Sequence, residues 1–189
     1  MTINLMQTRS RATRLLHMLL AAAIIAQLGL SLGMEAPQRG RPGDVLFEIH
    51  EKSGLAALAI LVIFWGWSLV RRGETRFSLL FPWFDRQRRR AFTADLVAQA
   101  RALRGGTIPL TEEKPFASAI HGLGLLIATL MATTGALGYF VPQVRFLLEV
   151  HATVAPLMWA YLIGHAGVAV LHQIKGDALI TRMFSLGKK

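Results

Sequence analysis

Histidine is the residue type in this chain whose chemistry and positions are most informative. The six histidines are His17, His50, His121, His151, His165 and His172. Each lies within or at the edge of an apolar stretch, and the charged segment 71–114 contains none of them. Ionisable side chains inside apolar spans are costly and usually serve a function. Because imidazole binds metals and transfers protons, these six residues are the first candidates for a functional site.

The spacing of the last three histidines favours two separate centres. His165 lies fourteen positions after His151, and His172 lies seven positions after His165. In a helix of about 3.6 residues per turn, fourteen residues make almost four turns, so His151 and His165 lie on one stripe about 21 Å apart. Histidines that share a zinc ion are normally much closer, at positions i and i+4. One helix therefore offers an imidazole at each of two depths.

The elements that must position these histidines are four long apolar stretches. The segments free of Asp, Glu, Lys and Arg run over residues 15–34, 53–70, 115–144 and 150–174. A helix of about 20 apolar residues crosses the ~30 Å hydrocarbon core of a membrane. A soluble bundle would instead carry polar residues on its water face every two turns, and these stretches do not. The prediction is an all-α, integral membrane four-helix bundle.

The predicted boundaries form a single membrane domain over residues 1–189. Its predicted spans are residues 15–34, 47–70, 117–141 and 147–174, with a loop at 71–114 between the second and third spans. In this loop, Phe81–Phe84 is predicted to be an aromatic anchor at the membrane interface. Asp85 is predicted to cap a helix that runs on to Leu103, as either a basic amphipathic helix on the membrane or a solvated one.

The charge distribution predicts the orientation of the chain in the membrane. The chain is 53% hydrophobic and 17% charged, yet its net charge is +10. Seventeen of the 21 Lys and Arg residues precede the first span, lie in 71–114 or follow the fourth span. Since positive residues collect on the cytoplasmic side, both termini and the long loop are predicted to be cytoplasmic. This explanation makes nucleic-acid binding unnecessary.

The absence of cysteine narrows the chemistry further. With no Cys in the chain, disulfides, Cys-ligated zinc, iron–sulfur clusters and covalent CxxCH haem attachment are all excluded. Paired imidazoles remain able to bind iron in a non-covalent, b-type haem.

Depth in the membrane suggests how the histidines pair. His50 and His151 lie at the outer ends of the second and fourth spans, whereas His17 and His165 both lie in the inner half of the membrane. Each pair could place two imidazole nitrogens on opposite sides of one haem iron. Depth alone does not exclude His121, which also lies in the inner half, from pairing with His165 or His17.

Other polar residues near these positions have two interpretations each. His121 and His172 are candidates for a quinone headgroup site, and the alternative for both is simple interfacial polarity. Arg11, Arg14 and Lys52 are candidates for binding haem propionates, and each is equally well explained as a charge at the membrane rim.

Three motifs resemble those of a known superfamily. They are Arg14-x2-His17 in the first span, His50-x3-Gly54 in the second, and His151-x13-His165 followed by His172 in the fourth. Over essentially its whole length the chain resembles the bacterial cytochrome b561 and Ni,Fe-hydrogenase b-type cytochrome superfamily. The resemblance implies two non-covalent b-type haems, one bound by His17 and His165 and the other by His50 and His151. It also implies a quinone region near His121 and His172.

The resemblance further implies a lipid-embedded protein of the bacterial inner membrane. It would transfer electrons between a redox partner on the periplasmic side and ubiquinone or menaquinone. The third-span His121 and the His165–His172 spacing resemble a stand-alone superoxide oxidase that reduces ubiquinone. The long loop with its FPWFDRQRRR segment resembles the membrane subunits of formate dehydrogenases and hydrogenases instead. A haem-free channel or scaffold is the alternative from another functional class.

Overall fold

The computed structural model of the chain describes residues 9–38, 40–72, 77–106, 115–176 and 178–185. The α-helices in these ranges are α1 Arg11–Ser31, α2 Val45–Val70, α3 Phe77–Leu80, α4 Arg86–Arg104, α5 Pro115–Phe140, α6 Leu147–Ile174 and α7 Leu179–Phe184. The described residues contain no β-strand, so the all-α prediction is confirmed. Residues 73–76 and 107–114 of the predicted loop lie outside the described residues.

Four of the helices are long and apolar enough to cross a membrane. They are α1, α2, α5 and α6, with 21, 26, 26 and 28 residues. This confirms the predicted four-span membrane bundle. The first helix begins earlier than predicted, at Arg11, because the Ser10 hydroxyl caps it by accepting a hydrogen bond from the Thr13 backbone N–H at 3.2 Å.

The four long helices pack in chain order. α1 packs along α2, α2 contacts α5, and α5 packs along α6. Two tryptophans of α2 form hydrogen bonds to the neighbouring helices. The indole N–H of Trp67 donates to Thr13 of α1 at 2.8 Å, and that of Trp65 donates to Thr129 of α5 at 2.9 Å. Within lipid, where water is absent, such hydrogen bonds between helices give polar side chains their partners.

Glycines on one face of α5 let α6 approach closely in an antiparallel register. The close positions, in order along α5, are Gly124 against Tyr161, Gly135 against His151 and Gly138 against Leu148. A Cβ atom at these glycines would lie 2.2, 3.1 and 2.7 Å from its neighbour, respectively. The glycines therefore determine which residues of α6 face which residues of α5.

The location of the Phe81–Phe84 motif differs from the membrane interface predicted for it. Phe81 is only 7% exposed and Pro82 is fully buried, so both belong to the core of the bundle. Phe84 is 87% exposed and is free to meet the membrane interface. The segment turns inward because Leu80 and Phe81 pack with the buried residues of the spanning helices.

The helix predicted after Asp85 is present as α4. The Asp85 carboxylate accepts the backbone N–H of Arg88 at 2.8 Å, which is the predicted cap. α4 lies against the start of α5, where the ring of Phe92 stacks on Phe116 with 6.0 Å between centroids. The Asp95 carboxylate accepts the backbone N–H of Phe116 at 3.0 Å. Both interactions fasten the long loop to the bundle.

Candidate functional site: two histidine pairs

The structure brings four of the six histidines together as two pairs. The ring centroids of His17 on α1 and His165 on α6 lie 6.3 Å apart, with the ring planes at 58°. The ring centroids of His50 on α2 and His151 on α6 lie 6.1 Å apart, with the planes at 82°. We call the His17–His165 pair the inner site and the His50–His151 pair the outer site. Helix α6 contributes one imidazole to each.

Both separations fit two imidazoles bound to opposite sides of one metal ion. A metal–imidazole bond is about 2.0 Å long. A ring with bonds of about 1.33 Å has its centroid about 1.1 Å from each nitrogen. Two ligands in line should therefore have centroids about 6.2 Å apart, from these same bond lengths. The observed 6.3 and 6.1 Å agree with this value.

The hydrogen bonds of the rings also fit the binding of a haem iron. The Nδ1 atoms of His17 and His50 are buried and have no hydrogen-bond partner within the described part of the chain. Buried polar atoms normally have a partner, so these two rings are unsatisfied as they stand. These two rings are therefore not committed to any hydrogen bond within the described residues, which leaves them free to turn toward a bound group.

His151 is held by the backbone of α5. Its Nδ1–H donates to the carbonyl of Met131 at 2.8 Å, and the Thr134 hydroxyl lies 3.4 Å from the same nitrogen. A metal-binding histidine usually donates its second ring nitrogen in this way, which fixes the ring and leaves the other nitrogen for the metal. Gly135 makes the contact possible, because a Cβ there would lie 3.1 Å from Nδ1.

His165 lies among three other rings. Tyr161 stacks on it with 5.4 Å between centroids and 8° between planes, and His17 lies across from it. His121 is nearer, at 5.1 Å and almost perpendicular. That distance is shorter than the ~6.2 Å expected of two ligands in line. The geometry therefore favours His17 over His121 as the partner of His165.

Comparison with known proteins identifies the family. The model of the prokaryotic cytochrome b561 family matches residues 8–186. This chain belongs to the prokaryotic cytochrome b561 family. It is a b-type cytochrome that transfers electrons in a membrane, and its four spanning helices make it a multi-pass protein in contact with lipid. No curated protein and no solved structure matches the chain.

In this member of the b561 family, a residue that sequence reasoning missed supports the outer site. The Gln27 side chain of α1 donates to the Ser53 hydroxyl at 2.6 Å and to the His50 carbonyl at 3.2 Å. Gly54 faces the same amide, because a Cβ there would lie 3.4 Å from Gln27 Oε1. The sequence feature that could have identified Gln27 is that it is the one side-chain amide within the apolar stretch 15–34.

The short helix α7 covers the inner end of the b561 bundle. Gln173 caps α7 by accepting the backbone N–H groups of Ile180 and Thr181 at 3.0 and 3.3 Å. The Arg14 guanidinium donates to the carbonyls of Arg182 and Ser185 near the end of α7.

The edge of Phe184 in α7 approaches the His17 ring, with 6.5 Å between centroids. Arg14 therefore fastens α7 next to His17 of the inner site, an interaction that the sequence did not indicate.

The remaining predicted residues occupy different surroundings. Arg11 is exposed, and Lys52 forms an ion pair with Glu48 at 2.5 Å on an exposed surface. His172, in the last turn of α6, is only 8% exposed. Burial of His172 favours a role within the protein over simple polarity at the membrane surface.

Proposed function

We propose that this b561-family chain binds two b-type haems and carries electrons across the membrane between a redox partner on the outer face and quinone at the inner face. His17 and His165 would hold one haem, and His50 and His151 the other. The observation that carries the proposal is the presence of two imidazole pairs, with centroid separations of 6.3 and 6.1 Å, at opposite ends of one bundle. Their α6 members are separated by about 21 Å along the axis.

When bound, haem supplies a one-electron iron couple at each site. The protein supplies fixed ligands. The Met131 carbonyl holds the His151 ring in one orientation, and the glycine face of α5 holds α6 in register. Phe184 lies edge-on to the His17 ring, with 6.5 Å between the ring centroids. Rigid ligands favour rapid electron transfer because little needs to rearrange when the charge changes.

The proposed orientation places the inner site near the cytoplasm. It rests on the seventeen basic residues that flank the spans on the side of the two termini and on the positive-inside rule. The outer site then lies toward the periplasm, where a soluble redox partner can reach it. The inner site lies where a membrane quinone can take up protons from the cytoplasm.

We place the quinone site at the inner end of α6, with His172 as the first candidate and His121 as the second. A quinone takes up two electrons and two protons on reduction, so its carbonyl oxygens need a hydrogen-bond donor with access to protons. Imidazole can serve as that donor. His172 is buried and lies two turns beyond His165, which suits a substrate next to the inner site. Ubiquinone and menaquinone both present such carbonyls.

Haem content tests the proposed sites. The purified chain should contain two haems with a b-type spectrum. His50→Ala and His151→Ala should each leave one haem, and so should His17→Ala and His165→Ala, with a different residual spectrum from the first two. His172→Ala should keep both haems and serves as the control. One haem or none in the unsubstituted protein, or loss of both haems from every ligand variant, would contradict the assignment.

A further inference from the structure

The inner and outer sites are built from the same pattern, repeated along two helices. On α6, His165 follows His151 by fourteen positions, and on α5 the same interval separates Ala117 from Met131. In the outer site the Met131 carbonyl accepts the Nδ1–H of His151 at 2.8 Å. In the inner site the Ala117 carbonyl accepts the Nδ1–H of His121 at 2.7 Å. The equivalent carbonyl of α5 therefore accepts a hydrogen bond from the α6 histidine in the outer site, but from His121 of α5 itself in the inner site.

A single residue accounts for the difference. Gly135 lies fourteen positions after His121 on α5 and is therefore its equivalent in the outer site. Glycine leaves room for His151 to reach the backbone of α5, whereas the imidazole at 121 fills the corresponding space and lies 5.1 Å from the His165 ring. Within the described ranges, His165 contacts other rings and its side chain makes no hydrogen bond.

The other ligand is alike in the two sites. The Nδ1 atoms of His17 and His50 are both buried without a hydrogen-bond partner among the described residues. The sites therefore differ in the partner of the α6 ligand. A histidine that donates Nδ1–H to a carbonyl is a more basic, electron-rich ligand. Such a ligand stabilises oxidised iron more than reduced iron, and hydrogen bonding of this kind is one of the means by which proteins adjust haem potentials.

The charges that flank the sites in the sequence point in the same direction. Near His50, Lys52 forms an ion pair with Glu48, which leaves Glu51 as the uncompensated charge, and Glu149 lies two residues from His151. Negative charge also stabilises oxidised iron. Arg14 lies three residues from His17 in the inner site, where positive charge favours reduced iron.

We propose that the outer haem site has a lower midpoint potential than the inner one, and that His121 maintains the difference by occupying the Ala117 carbonyl. This inference rests on the proposed binding of two haems. One electron that moves from the outer to the inner site oxidises the outer iron and reduces the inner iron, and this transfer is downhill. The direction agrees with delivery of electrons to a quinone at the inner end. His121 acts through His165 and is a positioning residue in this role.

Potentiometry of the unsubstituted protein is the first test. The two midpoint potentials should differ, and spectra of His50→Ala, which keeps the inner haem, and His17→Ala, which keeps the outer haem, assign each potential to its site. We expect the outer potential to be the lower one. Two haems with equal potentials, or with the outer potential higher, would overturn this inference and leave the proposed function standing. Fewer than two haems would overturn both.

Two substitutions at position 121 test the role of the histidine. His121→Gly copies Gly135 and frees the Ala117 carbonyl for His165, so the inner potential should fall toward the outer one. His121→Asn can still donate a hydrogen bond to that carbonyl and should keep the inner potential. The control is Thr133→Val, because the Thr133 hydroxyl bonds only to carbonyls of its own helix.

The potentials also separate this role from a quinone-binding one. If His121 served only to bind quinone, both substitutions would slow quinone reduction and neither would shift a haem potential. An unchanged inner potential in His121→Gly overturns the role of His121. If that variant loses the inner haem, hyperfine spectroscopy of the oxidised unsubstituted protein decides. We expect the spectra to show a hydrogen-bonded Nδ1 proton on His151 and no hydrogen-bonded Nδ1 proton on His165. Hydrogen-bonded Nδ1 protons of equal strength on both residues would overturn the inference.

Discussion

At the scale of the residue, two glycines of α5 lie against rings of the proposed haem sites on α6. His151 reaches the Met131 carbonyl across Gly135, and Tyr161, which stacks on His165, lies against Gly124. Small residues are common wherever membrane helices pack closely. In this chain they also lie opposite His151 and Tyr161 of α6, so they determine where these two rings can lie.

Gly135→Ala should disturb the outer site alone. The new Cβ would lie 3.1 Å from Nδ1 and 3.2 Å from Cε1 of His151, so the ring must shift and its bond to the Met131 carbonyl should weaken. We expect the outer midpoint potential to rise and the inner one to stay unchanged, as measured by potentiometry. The matched control is Gly66→Ala, since nothing lies within 4 Å of a Cβ at that position. Equal behaviour of the two variants would refute this prediction.

At the scale of the element, the long loop is part of the bundle over its described residues. The segment that contains α3 lies against α5, with the Leu80 carbonyl directly over Gly122. α4 is fastened to the start of α5 through Phe92 and Asp95. α7 folds back onto the start of α1 in the same manner, through Arg14. The inner end of the bundle is therefore more enclosed than four bare helices would be.

Gly122→Ala should destabilise the protein by displacing this loop. A Cβ at position 122 would lie 2.0 Å from the Leu80 carbonyl oxygen, and a backbone atom cannot rotate away as a side chain does. Overpacking of this kind costs about 1–3 kcal/mol. Thermal unfolding followed by haem absorbance should show a lower Tm for Gly122→Ala than for Gly66→Ala. A Tm equal to that of the control would mean that the loop is not packed on α5 in the membrane.

At the scale of the whole molecule, the lack of cysteine makes the orientation directly measurable. Single cysteines can be introduced at three exposed positions, Glu35 between α1 and α2, Ala98 on α4 and Ser185 after α7. A membrane-impermeant maleimide added to intact cells with a permeable outer membrane should label Glu35→Cys only. Ala98→Cys and Ser185→Cys should react only after the inner membrane is opened. The reverse pattern would place the termini outside and would reverse the direction of electron flow proposed above.

The sequence by itself determined the four spans, the family resemblance and the set of histidines, because apolar length, charge and motif spacing are properties of the linear chain. It also predicted the Asp85 cap, which depends on neighbours three residues apart. Depth along a helix limited the choice of partner for His165 to His17 or His121, and could not choose between them.

Only the tertiary structure brought His17 across from His165 and brought His151 to the Met131 carbonyl of α5. It also buried Phe81 and Pro82, which a local pattern had placed at the membrane interface. The physical reason is that the rotation and close approach of neighbouring helices arise from contacts between residues far apart in the chain. Glycines on α5 and the rings they face on α6 meet only when the bundle has formed.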